Sequence, residues 1–202
     1  MFVQVVKGRV NDQAGFRKQW EKWVEEVRPG AIGFLGSTSG LTDDGSFVTI
    51  ARFESPEDAR HNSDRAEQSE WFAETVQYFE GDPTFYNCSE VVTWGGGGSD
   101  SAGFVQVMEG RSGDPKRLAE LNDELEPVMS KHRPDVIGGV LAWHDGTDAG
   151  FTQTAYFISE AAAREGEKRE LPKELAGAMT EMSSLMKVEH YTDLREPWFA
   201  SS

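Results

Sequence analysis

This 202-residue sequence predicts an α+β fold built from two fused ferredoxin-like βαββαβ modules. Three observations carry the prediction. The chain repeats itself, a glycine-rich stretch separates the copies, and in each copy strand-like alternation and helix-like periodicity follow in the same order. Phe2-Val3-Gln4-Val5-Val6-Lys7-Gly8-Arg9 returns as Phe104-Val105-Gln106-Val107-Met108-Glu109-Gly110-Arg111, with six of eight residues identical. Arg28-Pro29 and Ile32-Gly33 return as Arg133-Pro134 and Ile137-Gly138, and Phe47 to Phe53 returns as Phe151 to Phe157, always at an offset of 102 to 105 residues. Collinear self-similarity at a nearly fixed period marks a tandem repeat. Between the copies, Gly95 to Gly98 followed by Ser99-Asp100-Ser101-Ala102-Gly103 has the composition of a flexible linker. The expected modules are therefore 1–94 and 104–202, joined by 95–103.

In the first module, Phe2 to Val6 is a β-rich run ended by Gly8. Phe16, Trp20, Trp23, Val24 and Val27 then recur at helical spacing until Pro29-Gly30 stops the helix. Ile32 to Ser37 reads as a second strand. Asp43-Asp44-Gly45 is a hairpin turn, and Phe47, Thr49, Ala51 and Phe53 alternate along a third strand. Ser55 caps a second helix with Pro56 in its first turn, and the apolar positions of that helix continue through Trp71, Phe72, Val76 and Phe79. Thr84 to Trp94 is the closing strand. The second module repeats the order, with strands near 104–109, 136–143, 150–158 and 185–194 and helices near 114–131 and 160–183. A sheet with both helices on one face leaves the other face bare, and that face must meet something apolar. The second module is the obvious partner, so the two sheets are expected to pack face to face as one pseudo-dimeric α/β barrel within a single chain.

Composition narrows the function. With 20 Lys plus Arg against 35 Asp plus Glu, the formal net charge is −15, a field that repels phosphate backbones and anionic membranes; neither nucleic acid nor membrane is an expected partner. No window approaches the roughly 18 apolar residues of a membrane helix. One cysteine, Cys88, supports neither an internal disulfide nor a cysteine-based zinc site, and the N-terminal residues lack a signal-peptide pattern, so a cytoplasmic location is expected. No two of the four histidines, His61, His132, His144 and His190, stand at helical spacing, and no metal site is expected.

The element order, the repeat and the stretch from Arg52 to Gln68 (RFESPEDARHNSDRAEQ) resemble the dimeric α/β barrel superfamily, in its antibiotic-biosynthesis-monooxygenase-like branch and in a fused tandem form. The resemblance implies a cofactor-independent monooxygenase-like oxidoreductase acting on a small aromatic or polyketide-like molecule, with no cofactor. A non-catalytic ligand-binding or stress-associated protein with the same pocket is the alternative. In haem-degrading relatives a carboxamide on the first strand lies over the ligand, a place that Gln4 resembles. Trp71 resembles their tryptophan late in the second helix, but no histidine follows it there, a departure from the haem-binding pattern.

The residues themselves point to the break in the second helix. Asn62, Ser63 and Asp64 prefer caps to helix interiors, and Asp64 with Glu67 resembles a capping box. The segment reads either as capping plus solvated charge or as a pocket wall. In the second reading His61 is the catalytic base, with Asn62, Arg65, Gln68 and Gln4 as ligand-binding groups and Trp71 beside them. His144, which follows Trp143 at the tip of the second hairpin, reads either as an exposed turn histidine or, with Trp143, as overhanging a cavity mouth. The Trp20 and Trp23 pair serves either core packing or an aromatic ligand. In the second module Gly166-Glu167-Lys168-Arg169-Glu170-Leu171-Pro172 replaces the His61 segment, so a single functional pocket in the first module is expected. His61 and Arg65 are expected to act on a ligand rather than on stability, and Phe72 to be core. A homodimer of whole chains is compatible with the sequence.

Overall fold

A computed structural model describes residues 1–170 and 172–202. Leu171, part of the replacement segment named above, lies outside them. The elements run β1 (Phe2–Arg9), α1 (Gln13–Lys22), β2 (Phe34–Leu41), β3 (Ser46–Phe53), α2 (Pro56–Ser63), α3 (Ala66–Thr75), β4 (Thr84–Cys88) and β5 (Val91–Trp94). The second repeat supplies β6 (Phe104–Ser112), α4 (Pro115–His132), β7 (Val136–Trp143), β8 (Gly150–Phe157), α5 (Glu160–Glu167), α6 (Lys173–Leu185), β9 (Met186–Leu194) and β10 (Trp198–Ala200). They form two antiparallel five-stranded sheets, ordered β10-β2-β3-β1-β4 and β5-β7-β8-β6-β9. Each sheet contains the expected four-stranded ferredoxin-like core. No helix among the described residues is long and apolar enough to cross a membrane.

The fifth strands differ from the expectation. The run Thr84 to Trp94 is two strands divided at Ser89-Glu90; β4 pairs with β1 in the first sheet, and β5 pairs with β7 in the second. In return β10, at the end of the chain, pairs with β2. The compact units are therefore Met1–Ser89 with Trp198–Ser202, and Glu90–Pro197. Nor is the glycine run a loose tether. Gly95, Gly96 and Gly97 all have positive φ and make a tight turn in which the Gly97 amide bonds the Trp94 carbonyl and the Gly95 amide bonds Glu126 Oε1 at 2.7 Å. A side chain at Gly95 would strike the backbone of Gly138, so the turn needs glycine there.

Local chemistry accounts for the element ends. Ser55 Oγ accepts the Asp58 amide at 3.1 Å, and Asp12, Asp114 and Ser159 cap α1, α4 and α5 in the same way. The second helix is broken as expected, but without a capping box. Asp64 closes α2 in helical geometry, and Arg65 precedes α3 with no side-chain cap. On the helix side of the first sheet, Phe2, Gln4 and Val6 stand across from Phe53, Ala51 and Thr49. Val3, Val5, Val48 and Ile50, on the opposite face, are buried. The helix-side core gathers Phe2, Trp23, Val27, Phe34, Phe53 and Ala59 around Ala200, with a second cluster of Phe16, Phe47 and Phe79 in edge-to-face contact at 4.6 to 5.9 Å. Trp198 of β10 meets Trp20 at a tilt of 52° with ring centroids 5.4 Å apart, and the Arg17 guanidinium lies over both rings.

Because each sheet takes an edge strand from the other repeat, a cut near Gly97 should leave two fragments that elute together in gel filtration and dissociate only on unfolding. Fragments that separate as stable monomers would contradict the exchange.

Candidate functional site

Within the first unit, the helix side of the sheet encloses a cavity of about 110 Å³, and ten of its eighteen lining residues are aromatic. Gln4, Gln68, Phe72 and Phe85 line this cavity and also a cleft of about 390 Å³ beside it, so they form a shared mouth. Ligand sites commonly run roughly 300–1,000 Å³, and the cleft falls in that range while the inner cavity is its narrow aromatic end.

The walls are set by helix register. α1 presents Phe16 and Trp20 to the cavity, and beyond it the chain widens into one π-helical turn, Trp23–Val27, whose first residue also lines the cavity. Such turns are rare and recur at functional sites, because the extra residue rotates the following side chains. Trp23 meets Phe34 edge-on at 5.4 Å and lies 6.2 Å from Trp71. Trp71 is held by its indole N–H, which donates to the Gln19 carbonyl at 2.7 Å. Phe72 and Phe85 meet edge-on at 5.7 Å.

Three carboxamides supply the polar contacts, and their neighbours fix which way two of them point. Arg65 Nη1 donates to Asn62 Oδ1 at 3.0 Å, and the Trp23 indole N–H donates to Gln68 Oε1 at 2.8 Å. Guanidinium and indole are donors only, so both amide oxygens are taken and both NH₂ groups are left as donors. Neither NH₂ group bonds a partner among the described residues. Gln4 does the reverse: its Nε2 donates to Asn87 Oδ1 at 3.1 Å, leaving its carbonyl oxygen as an acceptor. Among the described lining residues of the cavity and cleft, none is ionisable. The site is thus an uncharged aromatic box with two oriented donors and one acceptor.

Of the residues singled out from the sequence, Gln4, Asn62, Gln68 and Trp71 come together here, and Trp20 and Trp23 serve both core and cavity. His61 does not join them. It is exposed on α2 and lines neither cavity nor cleft, because the helical rotation between neighbours turns Asn62 inward and leaves His61 facing solvent. Arg65 lines neither as well. Its guanidinium is spent on Asn62 and on the Val27 carbonyl, 3.0 Å away at the end of the π turn, so it acts on the site through structure. Phe72 is half-buried and forms cavity wall rather than core. Trp143 and His144 lie in the other unit and line none of the three cavities described. Trp143 packs with Leu118, Leu141 and Phe151, and His144 Nε2 is 2.8 Å from Thr152 Oγ1. Phe85 and Ser37 were not singled out, and only their place on strand faces could have indicated them.

The second unit has a cavity of its own, of about 250 Å³, lined by Gln106, Ala155 and Phe157, the repeat counterparts of Gln4, Ala51 and Phe53. Both modules therefore enclose a cavity. The walls differ, however: only Trp94 and Phe157 are aromatic, and four methionines stand in.

No family model and no curated protein matches the chain. Solved structures do. A candidate monooxygenase from Lactobacillus acidophilus NCFM superposes with a TM-score of 0.76 at 14% identity, covering 99% of this chain and 95% of that one. A candidate monooxygenase from Fusobacterium nucleatum subsp. nucleatum ATCC 25586 gives 0.70 at 9% identity over 96% and 89%. An anthrone oxidase-like protein gives 0.64 at 11% identity over 100% and 94%. The chain thus shares with these three structures the fold of two ferredoxin-like modules in tandem.

Arg65→Ala should lower stability by roughly 1.5–3 kcal/mol, since a charged hydrogen-bonding group is lost and the Val27 carbonyl is left without it. His61→Ala should stay within about 0.5 kcal/mol of the parent, as surface changes usually do. Denaturant unfolding of the two variants beside the parent protein checks both; equal losses would place His61 in the scaffold.

Proposed function

We propose that the first unit holds a small aromatic ketone or phenol in its aromatic cavity and, in the manner of a cofactor-independent monooxygenase, promotes its oxidation by dioxygen. The observation that carries this reading is the pair of oriented amide donors, Asn62 and Gln68, inside an uncharged aromatic enclosure. A donor that a ligand covers without bonding costs roughly 1–3 kcal/mol, and a ligand oxygen placed against it avoids that cost. Flat rings suit walls built of Trp20, Trp23 and Trp71, and the Gln4 carbonyl suits a hydroxyl beside the ketone.

Donors that face developing negative charge favour the enolate or phenolate over its neutral parent. In that electron-rich form the substrate passes an electron to dioxygen and the two radicals recombine. A methylene flanked by aryl rings becomes a carbonyl: one oxygen atom of O₂ enters the substrate, and the other leaves as water with the two methylene hydrogens. The first proton passes to solvent through the cleft, as no described lining side chain is ionisable. The same absence favours a second reading, in which the cavity binds such a molecule without oxidising it. The structural neighbours lend the first reading support at the level of fold.

Anthrone is a suitable probe. Without oxygen it should quench tryptophan fluorescence saturably; on admitting air, one O₂ should be consumed per anthraquinone formed, faster than without protein. Gln68→Leu should slow that turnover by about 10²-fold, the usual cost of losing one such donor. Quenching without oxygen uptake supports the binding-only reading, and no saturable quenching removes both.

A further inference from the structure

We propose that the cavity of the second unit is a binding site for an aliphatic ammonium compound, a ligand that donates hydrogen bonds where the ligand of the first cavity accepts them. Its polar groups show the inversion. Asn122 is buried on α4, and its Nδ2 donates to the Leu118 carbonyl at 2.9 Å. A carbonyl only accepts, so the amide orientation is fixed and Asn122 Oδ1 is left as an acceptor with no partner among the described residues. Gln106 Nε2 donates to the Asp193 carboxylate at 2.9 Å, which leaves Gln106 Oε1 likewise. Glu126 stands four residues after Asn122, on the same helix face, and takes the Gly95 amide. No cation pairs with it among the described residues.

Two amide oxygens and one carboxylate make three acceptors, and an ammonium group carries three N–H donors. The other charges in the lining are already matched. Arg133 grips Asp135 with both Nε and Nη2, at 2.8 to 3.1 Å, and Glu167 accepts from Arg164 at 3.1 Å. That leaves Glu126 as the charge to be neutralised. Trp94, whose ring lies against Gly139, offers a π face to a cation.

The body of the ligand is read from the apolar wall. Met108, Met129, Met179 and Met182 line this cavity where the first has tryptophan and phenylalanine. Unbranched thioethers adapt to irregular, flexible shapes, whereas rigid rings favour flat ones. An alkyl chain fits the methionines, and its ammonium end fits the acceptors.

The test uses the full chain with methyl-labelled methionine and hexylammonium chloride as the probe, followed by NMR. The signals of Met108, Met129, Met179 and Met182 should shift saturably while that of exposed Met1 stays, and hexanoate at the same concentration should leave them unmoved. Glu126→Gln keeps an acceptor for the Gly95 amide and removes the charge, so it should fold with unchanged melting temperature and bind hexylammonium roughly tenfold more weakly or worse. Asn122→Leu should weaken binding independently. Equal shifts with hexanoate, no saturable shift, or undiminished binding by Glu126→Gln would each overturn the proposal. Anthrone addition should leave the four methionine signals in place, which separates this site from the first.

Discussion

One guanidinium ties together the working half of the first unit. Arg65 sits between two helices at the point where each runs out of internal hydrogen bonds. With one nitrogen it satisfies the Val27 carbonyl at the end of the π turn, and with another it holds the Asn62 oxygen. Carbonyls at a helix end have no partner within the helix and carry partial negative charge, so a cation there both pairs and neutralises. From this contact follow the end of the π turn, the angle at which α2 gives way to α3, and the direction of the Asn62 NH₂ group. The Trp23 to Gln68 bond repeats the device a short distance away: a group that can only donate fixes an amide that could otherwise point either way. The site is oriented by groups of which one, Arg65, never touches the cavity.

The two repeats share a sheet order but not a chemistry. Gln4 and Gln106 hold the same position on the first strand of their repeats, and each is anchored through its nitrogen, to Asn87 and to Asp193. Around that common point the first repeat carries rings and amide donors, the second methionines and acceptors. Duplication leaves the strand pattern under the same packing constraint in both copies, while helix residues that face a cavity are free to change. The exchanged edge strands β5 and β10 bind each repeat to the continuity of the whole chain, so the copies can diverge in function without parting as folds.

Most of the architecture was legible because its signals are local. The alternation of Phe47, Thr49, Ala51 and Phe53, the Ser55-Pro56 helix start and the Gly45 turn each act within a few residues, and each is found as read. The strand exchange was not legible. Thr84 to Trp94 is uniformly strand-like, and nothing within it says that its two halves pair with different sheets. The same limit governed the site. Asn62, Gln68 and Gln4 were indicated by polar residues at a helix break and a carboxamide in mid-strand, and Trp71 by the family resemblance, but the role of Arg65 depends on a carbonyl thirty-eight residues away. His61 followed Asn62 into the reading because the two are neighbours in sequence, while a helix rotates successive side chains by about 100° and so can bury one and expose the next. The second cavity went unread because methionines at helical spacing look like core, and their gap exists only once α4, α5 and α6 are laid on the sheet.

The central claim is that Arg65 and Trp23 aim two amide donors into an aromatic cavity. A crystal structure of the chain with a hydroxyanthrone bound tests it most directly. The ring system should lie against Trp20, Trp23 and Trp71, with one oxygen about 3 Å from both Asn62 Nδ2 and Gln68 Nε2. A ligand seated outside that cavity, or one whose oxygens leave both amides untouched, would contradict the account.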